Sequence, residues 1–117
     1  MLTFSPNVSY PPLRFFYETQ FAPWFLWFDV NQAAADLPAT VSSWYRTVAH
    51  NREVDGAASS QHLIGTAMDV VLPRDSYALL RSRLRWAQFT LDEGDHLHVQ
   101  LYRATPELLA AVARLAA

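Results

Sequence analysis

The segment HLHVQLY, residues 96–102, leaves the backbone little choice. Leu97, Val99 and Leu101 alternate with His96, His98, Gln100 and Tyr102, a period of two that suits a strand and would scatter the apolar groups around a helix. A strand of this pattern buries one face and leaves the other polar. The chain is therefore expected to build a sheet with a packed side and an open side. Two imidazoles stand on the open side.

The neighbouring segments supply partners for that strand. AQFTL, the turn DEGD and HLHVQLY read as a β-hairpin, with Gly94 giving the turn its backbone freedom. GTAMDVVLP, residues 65–73, reads as a second strand closed by Pro73, and its alternation sets Ala67, Asp69 and Val71 on one face. ATVSSWYR, leading to Arg46, reads as a third, short strand. TVAHNREVDGAASS is polar and small, and is expected to form a long loop. Asp75 and Ser76 are candidate caps for a helix over YALLRSRLRW, whose arginines at 81, 83 and 85 are expected to form a solvated face. TPELLAAVARLAA carries a Thr cap, a proline at the first helical position and Glu107 in the first turn, so it is expected to close the chain as a helix. Half of the aromatic residues fall in FFYETQFAPWFLWF, residues 15–28, which is expected to fill the core. These elements predict an α+β fold, a small and mainly antiparallel sheet flanked by helices, as one domain over residues 1–117.

Composition removes several kinds of chemistry. A formal net charge of -2 argues against nucleic-acid binding. With no cysteine there is no disulfide or thiolate, so a metal would have to rest on His, Asp and Glu. With no lysine there is neither Schiff-base chemistry nor a phosphate-loop lysine. The apolar run FAPWFLWF is far short of the roughly 20 residues that span a bilayer. The first residues lack the basic start and small-residue cleavage site of a signal peptide, so the expectation is a monomer made in the cytoplasm.

The polar faces of the two strands carry a specific possibility. If the strands are neighbours, Asp69 and a hairpin histidine converge, and His62, just before the strand, can close over them. Two imidazoles, a carboxylate and a water make an open tetrahedral site for one zinc ion, the arrangement of catalytic zinc. Such an ion acidifies its water and polarises a carbonyl, so one nearby carboxylate is enough to take the proton. The turn DEGD offers two registers at the same spacing: Asp95 as base three residues before His98 as ligand, or Glu93 as base three before His96 as ligand. His50 reads as an ordinary loop histidine.

These residues also resemble a known family. Ser60, His62, Gly65, Ala67 and Asp69 match, in order, the Ser-x-His, Gly-x-Ala-x-Asp signature of the zinc D-Ala-D-Ala peptidases. That group includes carboxypeptidases, vancomycin-resistance dipeptidases and phage L-alanyl-D-glutamate endopeptidases. VSSWYRTVAHN resembles the family's Ser-x-x-Arg strand followed by an Asn, and DHLHVQLY its closing carboxylate-x-x-His, so the likeness runs from Val41 to Tyr102. The resemblance implies His62, Asp69 and His98 as zinc ligands and Asp95 as general base. It implies that Arg46 holds the substrate's carbonyl or carboxylate oxygens, and that Ser60, Gln61 and His96 support the ligands or touch substrate. The family's base is often Glu rather than Asp, and the position of His96 is commonly aromatic or apolar.

The function implied is hydrolysis of peptidoglycan stem peptides, at the terminal D-Ala-D-Ala bond or at an internal bond such as L-Ala-D-Glu. The expectation of no leader or wall-binding module fits a phage endolysin that reaches the cell wall after release, and equally a domain cut from something longer. The rival expectation is a peptidoglycan- or virion-associated binding module that keeps the fold without turnover.

Overall fold

The computed structural model of the chain describes residues 2–117. In chain order its elements are β1 (Leu2–Phe4), α1 (Leu13–Glu18), α2 (Ala22–Ala33), β2 (Ala39–Ser43), α3 (Val48–Glu53), a 3-10 turn (Gln61–Ile64) and β3 (Ala67–Val71). A second 3-10 turn (Arg74–Ser76) then leads into α4 (Tyr77–Arg83), β4 (Phe89–Asp92), β5 (Leu97–Gln100) and α5 (Pro106–Leu115). The strands lie in the order β1-β2-β3-β5-β4. β1 runs parallel to β2 and every other pairing is antiparallel, giving the mainly antiparallel α+β sheet that the sequence predicts.

One face of this sheet is the core. Val41, Met68, Val70, Leu97 and Val99 point into it and meet Leu26, Val30 and Ala33 of α2 and Leu80 of α4, all fully buried. Burial of side chains of this size contributes about 1.5–3 kcal/mol each, so this layer dominates the fold's stability. A smaller cluster, Phe15 of α1 with Leu63, Ile64 and Val112 of α5, packs behind the first 3-10 turn and holds it in place.

The aromatic segment does not fill the core as expected. Among its rings Phe15 alone is buried; Tyr17, Phe21, Trp24, Phe25 and Phe28 are exposed. α2 lies against the sheet through Ala22, Leu26, Val30 and Ala33, spaced at helical intervals. Small and aliphatic groups on that stripe set the inner face, and the rings take the remaining faces, where Trp24 and Trp27 stack at 4.9 Å.

Two other expectations change, and one buried anchor lies outside them. The polar loop after Arg46 contains α3, capped by Thr47, whose side chain accepts from the His50 amide at 3.1 Å. The arginines of α4 are more than a solvated face: Arg81 donates to Thr90 Oγ1 at 2.9 Å and Arg83 to Ala33 O at 3.3 Å, joining the helix to β4 and to the end of α2. Asp29, which carries no signal in the sequence, is fully buried and accepts from the backbone amides of Arg85, Trp86 and Ala87 at 2.7, 2.8 and 2.7 Å. This anchor fixes the chain immediately before the β4–β5 hairpin.

Candidate metal centre

The open face of the sheet gathers the polar residues that the alternation predicts. Asp69 of β3 lies directly opposite His98 of β5 on one side and Ser43 of β2 on the other. A register shift between Val41 and Ser43 brings Ser43, rather than Ser42, to that position. His62 reaches the same spot from the 3-10 turn before β3. Gly65 makes this possible: it ends the turn at φ 80, and a Cβ there would lie 2.5 Å from Pro11 Cγ. The seven-residue interval between His62 and Asp69 is thus one tight turn and the first half of a strand.

The two imidazoles converge on one oxygen of Asp69. His62 Nε2 lies 3.2 Å and His98 Nδ1 3.0 Å from Asp69 Oδ1. These donor atoms all lie within 4.8 Å of one another, so together they could hold a metal ion. Asp69 Oδ2 is turned the other way, accepting from Arg46 Nη2 at 2.9 Å. The carboxylate is therefore oriented through Oδ2 and turns Oδ1 to the imidazoles.

The outer partners fix which nitrogen carries a proton. His62 Nδ1 donates to Trp44 O at 2.6 Å; a carbonyl can only accept, so Nε2 presents a lone pair to Asp69. Gln100 Nε2 donates to Tyr102 O at 3.2 Å, which turns its Oε1 to accept from His98 Nε2 at 2.8 Å and leaves His98 Nδ1 for the cluster. Acceptors thus face acceptors at about hydrogen-bond distance, an arrangement that a shared cation relieves. Two imidazoles and a carboxylate, each braced by an outer hydrogen bond, fit zinc by donor chemistry and by count.

In the metal-free protein a proton on His98 Nδ1, shared with Asp69 Oδ1, is the alternative to a cation. Burial pushes the His62 imidazole below its ordinary pKa, so it stays neutral. Burial also works against protonated His98, but its hydrogen bonds to Asp69 and Gln100 and the charges of Asp69 and Glu93 outweigh this and raise its pKa. Burial would raise Asp69, yet the flanking imidazoles hold its carboxyl well below the usual carboxylate range.

The hairpin separates the two candidate bases. The Asp92↔Leu97 and Leu91↔His98 pairs, extended by one, set Glu93 opposite His96, and the Glu93 amide donates to His96 O at 3.0 Å. Gly94 and Asp95 are then the two residues of the turn, with Gly94 at φ 93. Cross-strand partners share a face, so Glu93 and His96 project toward the cluster with His98. Glu93 Oε1 lies 3.5 Å from both His98 Nδ1 and His96 Nε2. The Asp95 side chain is 90% exposed and meets only the outer nitrogen of His96, Nδ1, at 2.6 Å, against 40% exposure for Glu93. Asp95, the base that the resemblance implies, is turned outward by this register, and Glu93, the other candidate, stands at the cluster.

The other predicted residues divide by position. Arg46 and His96 line the cleft, a hollow of about 550 Å³ that exposes the cluster. Ser60 lines it too, and its Oγ accepts from the His62 amide at 3.2 Å, capping the turn that carries the histidine. Gln61 does not face the cleft; it is buried, donating to Tyr102 O at 3.0 Å and accepting from Thr66 Oγ1 at 3.1 Å, which ties the turn to the end of β5. His50 is exposed on α3 beside Glu53. Sequence reasoning missed Gln100, although it stands two residues after His98 on the same strand face, and Trp44, whose part is played by a carbonyl.

A cluster of this composition, lining a cleft, defines a candidate metal site open to a substrate. The family model described as Peptidase M15 matches residues 20–100. The chain belongs to that family, the zinc D-Ala-D-Ala peptidases that its motifs resemble. No curated protein and no solved structure gives a significant match. Among the described residues no helix is long and apolar enough to cross a membrane.

Proposed function

We propose that this protein hydrolyses peptide bonds in peptidoglycan stem peptides with one catalytic zinc ion held by His62, Asp69 and His98. Zinc in such a site supplies Lewis acidity, acidifying water and polarising a carbonyl. Glu93, rather than Asp95, takes the proton of the attacking water and returns it to the leaving amine, because its carboxylate stands over the cluster. Arg46 lines the cleft while Asp69 and Ser43 hold its Nη2 and Nε, so its remaining amino group is available to the carbonyl oxygen of the substrate. On this proposal the enzyme acts as a monomer on the cell wall, in the manner of a phage endolysin, with no nucleic-acid partner.

The observation that carries the reading is the convergence of His62 Nε2 and His98 Nδ1 on Asp69 Oδ1, with the outer nitrogen of each ring tied down. The test is digestion of purified peptidoglycan followed by mass spectrometry, since the new termini identify the bond cut. Glu93→Gln is expected to retain zinc while losing at least about 100-fold in kcat, more than Asp95→Asn loses. The opposite order would restore Asp95 as the base. No cleavage of any muropeptide by the zinc-loaded protein would leave the binding module as the better reading.

A further inference from the structure

Beside the first cluster lies a second set of metal-type donors. Asp69, Glu93 and His96 also place one ligand atom each within 4.8 Å of one another. His96 Nε2 lies 3.7 Å from Asp69 Oδ1 and 3.5 Å from Glu93 Oε1. Around a tetrahedral ion with bonds of about 2.1 Å, donor atoms are about 3.4 Å apart, so these separations are of the right size. The two sets meet at Asp69.

His96 is braced as a ligand would be. Its outer nitrogen, Nδ1, donates to Asp95 Oδ1 at 2.6 Å, which leaves the Nε2 lone pair directed toward Asp69 and Glu93. A carboxylate behind an imidazole fixes its orientation, the arrangement commonly found behind metal-bound histidines. Each of the three imidazoles at the cleft thus has one nitrogen tied outward and one turned inward. The outer partners differ, a carbonyl for His62, an amide for His98 and a carboxylate for His96. Arg46 pairs with Asp69, while Glu93 and Asp95 add two further carboxylates beside His96, which favours additional positive charge there.

We propose that Asp69, Glu93 and His96 form a second divalent-cation site, with Asp95 positioning His96, and that its occupancy takes Glu93 out of proton transfer. The site is inhibitory: the same carboxylate cannot hold an ion and accept the proton of water. Excess zinc therefore slows the enzyme. The inference rests on the proposed zinc peptidase, since the second ion shares Asp69 with the first.

The test is a zinc titration of the metal-free protein by calorimetry, with bound metal counted by elemental mass spectrometry after gel filtration. The parent chain is expected to bind two equivalents, the second more weakly. His96→Ala should keep the first and lose the second; Asp95→Asn should weaken the second about 10–100-fold. Both positions lie at the hairpin turn outside the core, and circular dichroism checks that each variant is folded. The inhibition of peptide hydrolysis by excess zinc should disappear in His96→Ala. A parent that saturates at one equivalent overturns the second site and leaves the peptidase reading intact, whereas no bound zinc at all overturns both. If His96→Ala weakens the first equivalent of a protein that binds only one, His96 belongs to the first ion and the second site is refuted.

Discussion

Removing the Asp29 carboxylate should cost more than removing any single aromatic ring exposed on the same helix. Asp29 is fully buried and accepts from three consecutive backbone amides, of Arg85, Trp86 and Ala87, at 2.7–2.8 Å. In Asp29→Ala all three donors lose their partner. A buried donor left unsatisfied costs about 1–3 kcal/mol, and because Arg85 and Trp86 border solvent, water can reach part of the gap. The low end applies, giving a loss of about 3 kcal/mol, a large fraction of the roughly 5–15 kcal/mol that holds a domain folded. Asp29→Asn keeps the shape but turns one amino group toward a donor, and should cost less, about 1–2 kcal/mol. Urea unfolding read by circular dichroism gives both values: the midpoint should fall in the order parent, Asn, Ala, with the slope unchanged. Because the three amides immediately precede β4, the Ala variant should also bind zinc more weakly. A loss below about 1 kcal/mol in Asp29→Ala would refute the reasoning, since unsatisfied buried amides cannot be that cheap.

Two further predictions concern the cluster itself. Gln100→Leu removes the acceptor of His98 Nε2–H without touching a ligand, and should lower zinc affinity about 10–100-fold in competition with a chelator; an unchanged affinity would show that the outer hydrogen bond is idle. Asp69, whose folded-state pKa lies below the ordinary 3.8, adds stability to the metal-free protein that is fully present above that value and is lost as pH falls toward the depressed one. The urea midpoints of metal-free parent and Asp69→Asn should therefore draw together on acidification below about pH 4, while two parallel curves would contradict this linkage.

What the sequence shows of this fold follows from periodicity and turn chemistry. The alternation in residues 96–102 correctly separates Leu97 and Val99 from His98 and Gln100, because a half-buried strand allows no other placement. The Thr-Pro start of α5 is equally legible, with Thr105 accepting from the Leu108 amide at 3.1 Å. The DEGD turn left two candidate bases open, because fixed spacing to a histidine ignores register. A two-residue turn at Gly94-Asp95 makes Glu93 and His96 opposite neighbours and sends Asp95 outward, a parity argument available once the turn is placed. The rings of residues 15–28 misled. Hydrophobicity says that a side chain can be buried, whereas the width of the gap between α2 and the sheet decides which ones are, and that gap is set by Leu26, Val30 and Ala33. The nest around Asp29 and the carbonyl of Trp44 were illegible, since both depend on backbone groups brought together from distant parts of the chain.

Anomalous diffraction at the zinc edge, from crystals of the protein loaded with one equivalent of zinc, addresses the central claim without relying on any substrate. The expected result is one peak within about 2.0–2.2 Å of His62 Nε2, Asp69 Oδ1 and His98 Nδ1 together. A peak bonded instead to His98 Nε2, a peak away from Asp69, or no peak at this cleft would contradict it.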